Sequence, residues 1–337
     1  MNETRAPWEM AAAPSPVPIP ADQVEYLLSM AARAPSIHNS QPWRFRVRPH
    51  TIELLADPTR KVRVDAVGRE MLLSCGAALF GLRLAIRSLG YRPIVQLLPD
   101  RSQLRLVARV RLSGGLPVTD IERIMLEALP RRHTHRGAFS PAPLPPGLLV
   151  ALQHDAVAER ATLAIVQRPI DYERLADLLS VTAPRQDLDP VARAEIARWS
   201  REAASTAGDG IPGRAFYARP AVEAGRLRQR DFDLGRGIGR DKAGGGPPAA
   251  TAVLLTLGDG RADWIRAGQA LQRLLLHAAT VWVSASLFTQ PLESAEIRSL
   301  VANRLALPGH PQVLLQFGVV MSTETTSRRP PTELIES

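Results

Sequence analysis

Two long apolar segments with helical periodicity occur in this chain, and the similarity between them limits the folds it can form. Residues 76–84 read GAALFGLRL and residues 268–276 read GQALQRLLL, with a glycine, an alanine and three leucines in matching positions. Similarity in register is typical of a repeated structural unit. For this similarity alone, chance is an equally good explanation, because both segments come from an Ala- and Leu-rich chain. Each segment begins with a glycine, which permits close packing against a neighbour.

Helical and strand patterns mix along the chain without a strict βαβ alternation, which favours an α+β sandwich. The two long helices are predicted at residues 70–89 and 265–288. A further helix is predicted from an N-cap at Asp22 to about Ala34, because Pro35 disfavours its continuation. The predicted strands are residues 43–47, a stretch near Thr162–Val166, and the segments TIELLADP, PIVQLLP, LRLVARVRL, AVLLTLG and QVLLQFGVV.

The best internal boundary is the proline-dense passage PRRHTHRGAFSPAPLPPG, residues 130–147. It divides the chain into a predicted first half at 21–130 and a predicted second half at 131–337. Residues 1–20 are rich in Pro and Ala and are predicted to be disordered. Residues 207–250 are rich in Gly, Pro and Arg and too long for an ordinary connection. They are interpreted as a lid-like functional insertion or a disordered segment.

Composition narrows the functional class. The formal net charge is +9 and 40 of the 42 basic residues are arginine, which favours an anionic partner. No dense basic tract or aromatic-rich motif accompanies this charge, so we expect no nucleic-acid partner. Cys75 is the single cysteine, which fits a reducing compartment and a buried thiol. The sequence shows no signal-peptide pattern and no apolar run of membrane-spanning length, so a cytoplasmic location without a membrane partner is predicted.

Two polar passages stand out as candidate binding elements. The first is ARAPSIHNSQPWRF, residues 32–45, in which Pro35 and Pro42 stiffen a loop of short polar side chains. The second is RRHTHR, residues 131–136, where Arg132, Thr134 and Arg136 would project on one side of an extended segment and the two histidines on the other. Arginine forks match the multi-oxygen geometry of a phosphate. A solvated basic turn is the alternative for the second passage taken alone.

The segment RAPSIHNSQPWRF resembles the flavin-contacting loop of the FMN-dependent nitroreductase family. It is most similar to the Acg-like branch, in which one chain carries two nitroreductase-type halves. Three further passages resemble, in turn, the family's phosphate-binding motif, its long central helix and turn, and its closing strand with a basic tail: RRHTHRGAF, DWIRAGQALQRLLLHAATVWVSASLFTQPLE and LPGHPQVLLQFGVV…SRRPPTELI. The resemblances extend over most of the chain.

This resemblance implies a nitroreductase-like three-layer sandwich whose two tandem halves form an intramolecular pseudo-dimer. It also implies FMN as cofactor, NAD(P)H as reductant, and a nitro compound, quinone or similar small molecule as electron acceptor. The implied activity is that of an FMN-dependent NAD(P)H oxidoreductase. The alternative is a flavin-binding or flavin-sequestering protein in which the 207–250 insertion covers the FMN and little or no turnover occurs. The oligomeric state stays open.

The resemblance also implies the binding residues. Those expected near the isoalloxazine ring are Ser36, Asn39, Gln41, Trp43, Arg44 and Gln290, with core packing the stronger interpretation for Trp43. Those expected at the phosphate are Arg132, Thr134, Arg136, Arg328 and Arg329.

The family's site lies at a dimer interface, and here the first half supplies the proline-rich loop while the second supplies the arginines. No second basic motif precedes residue 35, so we predict one FMN per chain. No side chain is assigned a covalent catalytic role. His38 is a candidate general acid or, as the stronger interpretation, a structural hydrogen-bonding group. His133 and His135 have no third ligand at a recognisable spacing, so no metal site is predicted.

Overall fold

The computed structural model describes residues 17–218, 227, 229–241, 246–320 and 324–336, with side chains described in these ranges except at 181–188 and 290. Most of the segment predicted to be disordered, residues 1–16, lies outside this description. So do residues 219–226, 228 and 242–245 of the predicted insertion.

The described chain contains two four-stranded antiparallel sheets with the same connectivity. The strands are Trp43–Arg48 (β1), Thr51–Ala56 (β2), Tyr91–Leu97 (β3), Leu106–Gly115 (β4), Thr162–Val166 (β5), Ser200–Arg201 (β6), Ile211–Pro212 (β7), Ala250–Thr256 (β8), Val283–Phe288 (β9) and His310–Val319 (β10). The first sheet has the order β1-β2-β4-β3 and the second has the order β5-β8-β10-β9. β6 and β7 form a separate short parallel pair.

The described residues also form eight α-helices. They are Ala21–Ala32 (α1), Arg69–Ser88 (α2), Asp120–Ala128 (α3), Leu148–Ala158 (α4), Pro169–Leu188 (α5), Pro190–Trp199 (α6), Arg261–Thr280 (α7) and Ala295–Arg304 (α8). α2 shares a core with α1 and the first sheet, and α7 shares a core with α4 and the second sheet. α2 and α7 also pack against each other, while α5 and α8 cover the outer face of the second sheet. The predicted α+β sandwich of two similar halves is therefore confirmed.

Local sequence explains the position of β1 within the first sheet. The strand reads WRFRVR, and Trp43 and Phe45 are fully buried while the alternating arginines are partly exposed. Arg44 donates to Asp57 at 3.0 Å and Arg46 donates to Glu53 at 3.1 Å. The two-residue period of strands thus separates a core face from an ion-paired face.

α2 and α7 are equivalent elements of the two halves. Each contains 20 residues, and the next strand begins three positions after each helix ends, at Tyr91 and at Val283. The prediction of one helix over residues 265–288 was therefore wrong beyond Thr280. After α2 the chain turns at Gly90, whose φ is +83°, but after α7 it turns at Trp282, whose φ is +59°. A tryptophan gives no sequence signal for a turn, so the apolar pattern appeared continuous.

The first helix also begins differently from the prediction. α1 starts at Ala21 with Pro20 in the N-cap position, and no side chain caps it. Asp22 lies in the first turn, where its negative charge suits the helix dipole without capping a backbone N–H group.

Two glycines allow α2 and α7 to approach each other closely. A Cβ atom at Gly76 would lie 2.1 Å from the carbonyl oxygen of Ile265, and one at Gly268 would lie 1.9 Å from that of Leu73. The contact is symmetric, because the alignment that matches Gly76 with Gly268 also matches Leu73 with Ile265. The positions that match in the sequence repeat are therefore also the positions that meet in the contact between the two helices.

α2 is the one described helix long and apolar enough to cross a membrane, and most of it is buried inside the fold. Its cysteine, Cys75, is buried as predicted, and burial raises the pKa of the thiol. These are the properties of a central core helix.

Replacing Gly268 with alanine should destabilise the protein, because the added methyl group collides with a backbone carbonyl that cannot rotate away. We expect Gly268→Ala to lower the free energy of unfolding by about 2–4 kcal/mol, despite the better helix propensity of alanine. Gly114→Ala is the control, since no heavy atom lies within 4 Å of its added Cβ. Denaturant unfolding measures both variants, and equal stabilities would contradict the close contact.

Candidate functional site

A cleft opens between the two halves. The space between its walls is about 1180 Å³, a volume that includes the open mouth of the cleft. Its walls come from the loop after α1, from α2 and α7, from the segment after α3, from the end of β9 and from the 207–250 insertion. The residues that border it include Pro35, Ser36, Ile37, His38, Glu70, Leu73, Ser74, Thr134, His135, Arg136, Phe216, Tyr217, Arg230, Phe232, Leu271, Ser286, Leu287 and Thr289.

The loop after α1 has an unusual backbone. His38, Asn39 and Gln41 have φ values of +52°, +54° and +49°. Such left-handed conformations are uncommon outside glycine and persist where the surroundings hold them. The hydroxyl of Ser36 accepts a hydrogen bond from the Gln41 backbone N–H at 2.9 Å, which closes the turn. The short polar side chains of this loop therefore maintain its shape.

Asn39 and Gln41 connect this loop to distant parts of the chain. The amide of Asn39 donates to the carbonyls of Gly210 at 3.0 Å and Ser327 at 3.1 Å. The amide of Gln41 donates to the carbonyl of Gly208 at 2.7 Å, and its oxygen accepts from the Arg329 N–H at 3.0 Å. Neither side chain is among the residues that border the cleft. In this structure both position the loop against the insertion and the C-terminal tail.

Three arginines from the second half gather at the C-terminal end of α1. Arg328 donates to the carbonyls of Ala32 at 2.9 Å and Ala34 at 3.2 Å, and Arg132 donates to that of Arg33 at 3.1 Å. These carbonyls carry the partial negative charge of a helix end. Arg136 lies close enough to lower the pKa of both Arg132 and Arg328. The structure thus brings the predicted arginines next to the proline-rich loop.

The charge of this cluster is unbalanced. Arg132, Arg136 and Arg328 form no ion pair with an acidic side chain of the described residues, and the Nε and Nη1 atoms of Arg132 are buried without a partner. Burial and the positive charges of Arg136 and Arg33 together lower the pKa of Arg132 to about 10. Burial lowers the pKa of Arg136 to about 10. Buried cations with free donors are the arrangement that an anion satisfies. We expect a phosphate-like group to bind here.

Other predicted site residues lie elsewhere. Trp43 is fully buried in the core of the first half, which agrees with the core interpretation and removes it from the cleft. Arg44 pairs with Asp57 on the outer face of β1, and Arg329 donates to Glu333 at 3.2 Å. Because their charges are already paired, neither belongs to the unbalanced arginine cluster. The side chain of Gln290 lies outside the described residues.

Residues 134–136, which follow α3, border the cleft with side chains from both sides of the segment. Thr134 and Arg136 border the cleft, but so does His135, which the alternation had placed on the opposite side. The His135 ring nitrogen Nε2 lies 2.9 Å from the carbonyl oxygen of Ala138, and the rings of His133 and His135 are 6.3 Å apart. Within the described ranges, no three His, Cys, Asp or Glu side chains are grouped to hold a metal ion.

The described part of the insertion is organised around a buried carboxylate. Asp233 accepts hydrogen bonds from the backbone N–H groups of Gly237, Ile238 and Gly239 at 2.8–2.9 Å. This turn fixes Phe232, whose ring lies 5.7 Å from that of His38 and 5.5 Å from the guanidinium of Arg136. The insertion therefore supplies one wall of the cleft.

Two cleft residues were missed by the sequence interpretation. Arg230, from the insertion, lies 2.8 Å from Nε2 of His38 and donates to Glu293 at 2.5 Å. Glu70, at the start of α2, is buried beside Arg69. Burial, reinforced by Asp65 and Glu293 and opposed by Arg69, raises the pKa of Glu70 to about 7. No sequence pattern relates Arg230 to Glu70, because they are far apart in the chain and only the tertiary fold brings them to one cleft.

The fold and the cleft define an α+β protein with a cleft between two repeated halves. A sequence profile of the nitroreductase family matches residues 15–65, which include α1 and the loop after it. The chain is 32% identical over 303 residues to "Putative NAD(P)H nitroreductase Rv3131" of Mycobacterium tuberculosis (strain ATCC 25618 / H37Rv), covering 88% of this chain and 85% of the relative. The chain belongs to the nitroreductase family, as its sequence motifs predicted.

A second relative aligns over nearly the whole chain. This is "Putative NAD(P)H nitroreductase acg" of the same organism, which is 29% identical over 318 residues, covering 93% of this chain and 95% of the relative. Among solved structures, a nitroreductase with bound FMN from Desulfitobacterium hafniense DCB-2 is 14% identical, with a TM-score of 0.40 over 64% of this chain and 97% of that chain.

Arg132→Met tests the unbalanced charge. Without added anions the variant should be more stable than the natural protein by about 1–3 kcal/mol, because a buried cation with free donors is removed. It should also gain less stability from inorganic phosphate. Thermal unfolding with and without phosphate measures both effects. Arg123→Met, an exposed change on α3, is the control, and a destabilised Arg132→Met that keeps its full response to phosphate would refute the anion site.

Glu70→Gln tests the buried carboxyl. Because the pKa of Glu70 is raised from 4.5 to about 7 on folding, its ionisation opposes folding as the pH rises through 7. The natural protein should therefore lose about 3 kcal/mol of stability relative to Glu70→Gln between pH 4.5 and pH 8.

Glu122→Gln is the control for this titration. Burial alone would raise the pKa of Glu122, but hydrogen bonds from Arg87 and Thr119 outweigh it and hold the pKa at about 2. Its contribution to stability should therefore change by less than about 0.5 kcal/mol above pH 4.5. Urea unfolding at several pH values makes the comparison, and a difference between the natural protein and Glu70→Gln that does not change with pH would contradict the raised pKa.

Proposed function

We propose that this protein binds one FMN in the cleft between its halves and is an NAD(P)H-dependent oxidoreductase that reduces a small-molecule acceptor, such as a nitro compound or quinone. The observation that carries the proposal is the buried guanidinium of Arg132, with two unpartnered donor atoms beside Arg136. This anion site adjoins the cleft and the strained loop that contains Ser36. Membership of the nitroreductase family supports the same assignment.

The residues present fit this cofactor. Arg132 and Arg136, with the hydroxyl of Thr134, would hold the phosphate, and Arg328 braces the same end of α1. Ser36 and His38 border the part of the cleft that would receive the ring. When bound, FMN supplies a centre that accepts hydride from NAD(P)H and passes it to the acceptor.

The chain's own contribution is binding and positioning. Apolar walls exclude water and hold flat molecules face to face; they include Leu73, Phe216, Phe232, Leu271 and Leu287. The insertion narrows access to the cleft and so affects which acceptors enter. No covalent role is assigned to a side chain.

The different loops of the two halves support one site per chain. Residues 33–42 separate α1 from β1 in the first half, and only residues 159–161 separate the equivalent elements, α4 and β5, in the second. A connection of that length cannot supply a second proline-rich binding loop. The cofactor site would then be complete within a single chain.

A flavin-sequestering function is the second candidate, because the insertion itself forms a wall of the cleft through Phe216, Tyr217, Arg230 and Phe232. If this wall stays in place over the ring, NAD(P)H cannot reach it. We further propose a cytoplasmic location, supported by the buried single cysteine, and a small molecule as partner in place of nucleic acid or membrane.

The experiment is anaerobic titration of the purified protein with NADH and with NADPH. We expect one FMN per chain, released on denaturation, and loss of the oxidised flavin absorbance with at least one reductant. Arg132→Met should lower the FMN content, and the surface variant Arg123→Met should not. A colourless protein that cannot be loaded with FMN, or two FMN per chain, would contradict the site. Bound flavin that stays oxidised with both reductants would favour sequestration.

A further inference from the structure

We propose that His38 is a neutral hydrogen-bond donor to the planar molecule in the cleft, and that Arg230 and Glu293 fix the tautomer that makes it one. The inference rests on the proposed function, because it assigns a role within that site. Its ligand would be an oxygen with a free lone pair, from a carbonyl or a nitro group.

The hydrogen bond from Arg230 determines which tautomer of His38 is present. Arg230 Nη1 lies 2.8 Å from His38 Nε2, and a guanidinium can only donate. Nε2 must therefore accept, which leaves the ring proton on Nδ1. Glu293 accepts from the other terminal nitrogen of Arg230 at 2.5 Å, and the side chains of both residues are largely buried. The planar arginine fork thus joins the histidine to the carboxylate in one orientation.

The surroundings keep the ring neutral. His38 is 4% exposed, and Arg230 and Arg136 are the charged groups that act on it most strongly. Burial lowers the pKa of His38 well below 6.5, and these two positive charges lower it further. The edge contact with Phe232 contributes no acceptor. A neutral imidazole with one fixed proton is the result.

The donor that remains is unsatisfied. Nδ1 of His38 is buried and has no hydrogen-bond partner among the described residues, although His38 borders the cleft. A buried donor without a partner is unfavourable, so such groups are rare unless a ligand satisfies them. The loop holds His38 at a left-handed φ of +52°, which keeps the side chain in this position.

Two substitutions of His38 distinguish the roles of its two ring nitrogens. In asparagine, as in histidine, a δ nitrogen is bonded to Cγ, so His38→Asn retains a donor near the position of Nδ1. In glutamine the nitrogen lies one bond further out, so His38→Gln retains a polar group near Nε2 and loses the donor to the cleft. Asparagine tolerates a positive φ, and Gln41 already adopts one in the same loop.

The tautomer is measured directly by ¹⁵N NMR of the imidazole nitrogens in the protein without flavin. We expect the neutral Nδ1–H form at pH 7, and an increased Nε2–H population in Arg230→Met. An Nε2–H or imidazolium form in the natural protein would overturn the inference, whatever the activity. This measurement needs no variant of His38 and therefore stands even if those variants fold poorly.

The ligand is identified by two measured constants, the Kd for FMN and the KM for a nitroaromatic or quinone acceptor. We expect His38→Gln to raise one of them about tenfold and His38→Asn to stay within about threefold of the natural protein. A raised Kd assigns the oxygen to the flavin; a raised KM with unchanged Kd assigns it to the acceptor. His310→Gln, an exposed change on β10, is the control.

A failure of this inference can be distinguished from a failure of the proposed function. If His38→Gln matches the natural protein in both constants, this inference is wrong while the proposed function stands. If the natural protein itself binds no FMN, the proposed function fails, and the tautomer result then bears on a different ligand for the same donor.

Discussion

The close contact between α2 and α7 is the constraint on which the rest of the structure depends. Each helix is the central helix of one half, and each presents a glycine to a backbone carbonyl of the other. Because the contact is symmetric, it sets both the distance and the relative orientation of the two sheets. Leu73 and Leu271, which border the cleft, lie within this helix pair. The geometry of the cleft is thus a consequence of helix packing, and polar side chains from both halves line a space that the core has already fixed.

In the same arrangement, the C-terminal tail contacts the N-terminal helix α1 and the loop that follows it. The C-terminal tail reaches α1 through Arg328, and it reaches the strained loop through the Ser327 carbonyl and the Arg329 N–H group. These contacts join the elements that support the site and keep buried cations close together. Their mutual repulsion is an electrostatic cost that the described acidic residues do not offset. Binding sites commonly retain such unfavourable groups, because the ligand supplies the missing partner.

Much of this fold was predictable from the sequence, for physical reasons. The similarity around Gly76 and Gly268 reflects one packing register, and the alternation in WRFRVR reflects a strand with one buried face. The end of α7 was not predictable, because Trp282 makes a turn that glycine makes after α2. For the site, the convergence of the 35–42 loop with Arg132, Arg136 and Arg328 was anticipated from motifs. The structural roles of Asn39 and Gln41 and the pairing of Arg329 with Glu333 depend on tertiary contacts and were not.

We propose that arginines of the second half and the loop of the first half bind the two ends of one flavin mononucleotide. The most direct measurement is a crystal structure of the flavin-loaded protein. We expect a single FMN in the cleft, with its phosphate oxygens hydrogen-bonded to Arg132 and its ring against the loop of residues 35–38. A phosphate bound away from Arg132, or a second flavin at the equivalent position of the other half, would contradict it.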